Sequence, residues 1–79
     1  MEHYVVSVVV GNNAGRNTKS VESNETLRKT LEDNNVDYTR GMTMLDGSPL
    51  QPGDLDKTYE DFGIKKSCYL LNVIKTDNA

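Results

Sequence analysis

The densest group of chemically capable side chains is Asp54, Asp56, Glu60 and Asp61, four carboxylates within eight residues. Such a cluster could hold a divalent cation, but the calcium-loop pattern is broken. Tyr59 stands where the sharp turn requires glycine, and Lys65 where the bidentate glutamate belongs. Asp54 and Asp56 suit instead the start of a short helix, where carboxylates meet unpaired backbone N–H groups. No metal is expected. Cys68 and His3, one of each type in the chain, would have to meet across paired strands. Without an orienting third group or an oxyanion site they form no nucleophilic unit. Cys68 reads as a packed strand thiol and His3 as a solvated strand-end residue. Gly11 to Arg16 has two glycines but lacks the Gly-Lys-Ser/Thr ending of a phosphate loop. Asn24-Glu25-Thr26 matches a glycosylation sequon but is more simply a helix cap, and Lys65-Lys66 is a solvated turn. No catalytic activity and no cofactor are expected.

The bulk properties point the same way. Seventy-nine residues make one small domain, near the lower limit at which a chain buries a stabilising core unaided. Hydrophobic residues are 35% and charged residues 27%, too apolar for a disordered tail. The net charge is −3 and the nine basic residues are scattered, so no nucleic acid is expected. Val5 to Val10 is the strongest apolar run, too short to cross a bilayer; no membrane insertion is expected. An unpaired cysteine fits the reducing cytoplasm.

These residues must be positioned by few elements. His3 to Val10 is rich in β-branched residues and predicts a central strand, Tyr4, Val6, Val8 and Val10 on one face and Val5, Ser7 and Val9 on the other. Gly11 to Gly15 turns the chain into a polar returning strand, Asn17 to Val21. Ser23 to Thr26 supplies helix caps, Leu27 and Leu31 share one helical face, and Asn34-Asn35 can close the helix. So short a helix must lie across the sheet to be stable. Gly41 to Leu45 predicts a third strand, with Met42 and Met44 opposite Thr43 and Leu45, and Asp46-Gly47 a turn. Ser48 to Asp61 reads as a loop with a short helical turn around Leu55 to Asp61, and Ser67 to Ile74 as the last strand.

This order resembles the ubiquitin-like β-grasp superfamily. Met42-Thr43-Met44-Leu45-Asp46-Gly47-Ser48-Pro49-Leu50 is similar to the strand and turn that present a leucine shortly after a glycine. Leu55 to Ile64, with Tyr59-Glu60-Asp61-Phe62-Gly63-Ile64, resembles the short helix and the segment after it, and Ser67 to Ile74 the last strand. With the Thr26-Leu27 helix start, the likeness covers roughly residues 3 to 75. It implies an α+β fold with a four- or five-stranded mixed sheet and one main helix, residues 1–75 as a single domain and 76–79 as a flexible tail. Ubiquitin and the related sulfur carriers are activated on a C-terminal Gly-Gly, whereas Lys75-Thr76-Asp77-Asn78-Ala79 carries no glycine. The resemblance is therefore to small bacterial-type members without that tail, which act as binding, scaffold or regulatory domains. The alternative is a modifier or sulfur-carrier-type protein conjugated through a C-terminus beyond this chain.

In such domains the open sheet face docks on a protein partner. The last strand carries Tyr69, Leu71 and Val73 on one side and Leu70, Asn72 and Ile74 on the other, and one set must face outward. Leu45, Leu70 and Ile74, with Thr43 and Asn72 as polar members, are the expected docking residues. A slip of one residue exchanges the two faces. The expected partner is a protein of unspecified identity, with a weak homodimer as the other form of association.

Overall fold

The computed structural model describes residues 2–12 and 15–74; Asn13, Ala14 and the expected tail lie outside them. Strand β1, Val5–Gly11, carries five β-branched valines that favour extended backbone. It pairs antiparallel with β2, Arg16–Glu22, from Val5 opposite Glu22 to Gly11 opposite Arg16. Helix α1, Leu27–Asp33, starts at Thr26, whose Oγ1 accepts a hydrogen bond from the Lys29 backbone N–H at 3.2 Å. It ends at Asn34, followed by Asn35 at φ 59°, the left-handed closure that asparagine tolerates.

Strand β3, Met42–Leu45, turns through Asp46 (φ 52°) and Gly47 (φ 85°) into β4, Ser48–Pro49. Two consecutive positive φ values define a primed hairpin turn whose twist matches that of the strands. The segment from Ser48, expected to be loop, thus contributes a fifth strand. The short helical turn lies earlier than expected, as a 3-10 helix at Pro52–Asp56 instead of Leu55 to Asp61. Proline fits the first helical position. The Asp54 carboxylate accepts from the Gln51 N–H at 2.9 Å, and extended Lys57 (φ −89°, ψ 160°) ends the turn.

Strand β5, Ser67–Val73, closes the sheet in the order β2-β1-β5-β3-β4. The β1–β5 pair is parallel and the remaining pairs are antiparallel, so the sheet is mixed and five-stranded, matching a β-grasp. The core lies between this sheet and α1. Val6, Val8 and Val10 from β1, Cys68 and Leu70 from β5, and Leu45 from β3 meet Leu27 and Leu31 from the helix and Leu55 and Tyr59 from the connection. Tyr59, fully buried, donates to Thr30 Oγ1 at 2.8 Å, and Thr30 in turn donates to Glu25 Oε2 at 2.6 Å. The buried phenol is thereby satisfied, as a polar group in a dry core must be.

Candidate functional site: the open face of the sheet

The carboxylate cluster is consumed by local structure. Asp54 is held below the usual carboxylate range, first by the Gln51 backbone N–H and then by Lys57, whose Nζ lies 3.3 Å away. Asp56 pairs with Arg28 at 2.8 Å. Asp61 accepts from the Thr58 N–H at 2.9 Å while its own N–H donates to Thr58 Oγ1 at 3.2 Å, a reciprocal cap. Glu60 accepts from the Ser23 hydroxyl and sits 2.6 Å from His3 Nδ1, contacts that lower its pKa in that order. Among the described residues, no three His, Cys, Asp or Glu side chains gather to hold a metal.

Cys68 and His3 take up separate positions. His3 is bound to Glu60, whereas Cys68 pairs with Val8 and is buried in the core. Desolvation pushes the Cys68 thiol up to about 12, so it is not a thiolate at neutral pH. The sequon residue Thr26 is the helix cap.

The remaining feature is apolar. A parallel register that sets Val8 beside Cys68 and Val10 beside Leu70 aligns the core-facing valines with the even positions of β5. The antiparallel register continues that row to Leu45 and places Thr43 opposite Asn72. Four of the five expected docking residues are therefore buried beneath the helix: Leu70 at 0% exposure, Asn72 at 1%, Leu45 at 6% and Thr43 at 7%. Asn72 stays there because its Nδ2 donates to Arg40 O at 2.9 Å and to Thr43 Oγ1 at 3.1 Å. The fifth, Ile74, follows the end of β5 and is 39% exposed.

The opposite side of the same strands is open. Val5 is 59% exposed, Tyr69 53%, Met42 50% and Val73 37%, with Val9, Met44 and Leu71 half-buried among them. Backbone geometry fixes this array. The Asp46 N–H donates to Tyr69 O and the Tyr69 N–H to Asp46 Oδ1, both at 2.8 Å. Gly41 (φ 71°) lies so close to β5 that a Cβ there would fall 2.5 Å from the Val73 carbonyl oxygen. Met42 is thus set opposite Val73 and Met44 opposite Leu71. The signal for this choice lies in β1, where Val6, Val8 and Val10 form an unbroken apolar set while Ser7 interrupts the other. The polar Asn72 pointed the other way.

The same topology recurs in a solved structure. A ubiquitin-like protein from Trypanosoma brucei superposes with a TM-score of 0.67 at 26% identity, over 91% of this chain and 96% of that one. The chain has a ubiquitin-like fold. A ubiquitin-like domain of EccD5 from Mycobacterium xenopi aligns over 92% of this chain and 99% of that one, at 12% identity and a TM-score of 0.41, too loose a match to carry argument. No protein-family model matches the sequence, and no curated protein matches it significantly. Among the described residues of this ubiquitin-like domain, no helix is long and apolar enough to cross a membrane.

Proposed function

We propose that this ubiquitin-like domain is a non-catalytic adaptor or regulatory module of the cytoplasm that docks on a protein partner through its open sheet face. The observation that carries the reading is the contiguous set Val9, Met42, Met44, Tyr69, Leu71 and Val73 on the side of the sheet away from the helix, with Val5 beyond Ser7 on the same side. Small soluble domains seldom leave such a set exposed without a use for it. Tyrosine and methionine are side chains that serve interfaces well, one rigid and amphipathic, the other adaptable. The complementary partner is an apolar protein surface with few charges at its centre, since the face presents none there.

The test is a native pull-down from the source organism with Tyr69→Glu and Val73→Glu beside the unaltered protein. A stoichiometric partner that is lost from both variants, and whose purified form shifts the amide signals of Val9, Met44 and Leu71, is the expected result. A partner retained by both variants overturns the open-face reading. Targets that stay attached after denaturation would mean covalent modification instead.

A further inference from the structure

The β2 edge of the sheet carries a second, separate feature. In an antiparallel pair, successive residues alternate between bonding to the neighbour and facing away. The Ser7 N–H donates to Lys66 O of the β5 side at 2.9 Å, whereas Ser23 donates to Tyr4 O at 2.7 Å and Asn12 to Gly15 O at 3.0 Å. The even residues of β1 therefore bond to β2 and the odd ones to β5. Arg16, Thr18, Ser20 and Glu22, the partners of Gly11, Val9, Ser7 and Val5, consequently turn their backbone N–H and C=O groups outward. The strand is exposed along its length except at half-buried Val21, so among the described residues neither α1 nor any loop covers this edge. The opposite edge, β4, spans only Ser48–Pro49 and offers little backbone for pairing.

We propose that a second copy of this chain pairs antiparallel with β2, centred on Lys19. In that register Arg16 of each copy lies opposite Glu22 of the other, twice over, and Thr18 lies opposite Ser20. The outward-facing residues of one strand meet the outward-facing residues of the next, so every ladder bond can form. Arg16 and Glu22 take part in no ion pair among the described residues, which leaves both available. The two-fold axis passes through the Lys19 pair, whose like charges oppose association; the dimer is therefore weak and salt-sensitive. The product is a ten-stranded sheet with both helices on one side, and both open faces remain free for the docking proposed above.

A dilution series followed by amide NMR and sedimentation tests the pairing. Concentration-dependent shifts should centre on residues 16–22. Arg16→Glu should weaken association roughly tenfold, because two attractive pairs turn repulsive together, and adding Glu22→Arg should restore it. Thr18→Pro removes an N–H that β1 does not use, so it should abolish association without unfolding the domain. Lys19→Thr should tighten it. No self-association at millimolar protein overturns the proposal, as does a charge-swapped double variant that stays monomeric, or shifts confined to Tyr69, Leu71 and Val73.

Discussion

Tyr69 and Leu70 are adjacent in β5, yet their side chains leave the sheet on opposite sides, the first 53% exposed and the second fully buried. One peptide unit thus separates a residue available to a partner from one packed among Val10, Leu45 and the helix leucines. Strand geometry makes the division sharp, because the side-chain period is two.

Matched substitutions should therefore give opposite outcomes. Tyr69→Glu should change stability by no more than about 0.5 kcal/mol, as surface changes usually do. Leu70→Glu should abolish cooperative folding by burying an unpaired carboxylate. Leu70→Ala should cost about 2–5 kcal/mol, a large part of what so small a domain has. Thermal melts of the three variants check the division; a Leu70→Glu chain that melts like the unaltered protein would reverse the two faces.

The Asn72–Thr43 pair should be energetically coupled. Asn72→Ala leaves the Thr43 hydroxyl and the Arg40 carbonyl without their donor and should cost about 1–3 kcal/mol. Thr43→Val spares the bond to Arg40 and should cost less. A urea-denaturation double-mutant cycle should show the two changes together costing less than their sum, and strict additivity would contradict the pairing.

Cys68 should resist alkylation in the folded protein. Its thiol is buried and pushed up to about 12 by desolvation, with the Asp46 charge adding to the effect, so the reactive thiolate is scarce. Iodoacetamide should label it slowly in buffer and rapidly in urea, with equal rates signalling an exposed strand.

Acid should weaken the anchor between the start of β1 and the segment after the 3-10 helix. Glu60 has its pKa lowered by the Ser23 hydroxyl and then by His3, so its contribution is present above the ordinary glutamate range. That contribution is lost as pH falls through the lowered value, because the unfolded chain takes up the proton first. Asp54 and Asp37, also lowered, add with the same sign. Urea midpoints should drop on acidification, and Ser23→Ala should flatten part of that dependence.

Much of this architecture is dictated by local chemistry. The valines of β1 favour strand, Thr26 and Asn34-Asn35 bracket the helix, and Asp46-Gly47 turns the chain, each through its own backbone preference. These signals, in order, specify the β-grasp. The grouping of Tyr69, Leu71 and Val73 apart from Leu70 and Asn72 also follows from strand period. Which group faces the helix does not, because both are largely apolar and alternation is symmetric between faces. Only the parallel register of Val8 with Cys68, and a hydrogen-bond network that makes buried Asn72 tolerable, decided it. That register joins residues some sixty positions apart, and its free energy belongs to the packed core as a whole, not to any segment of the chain.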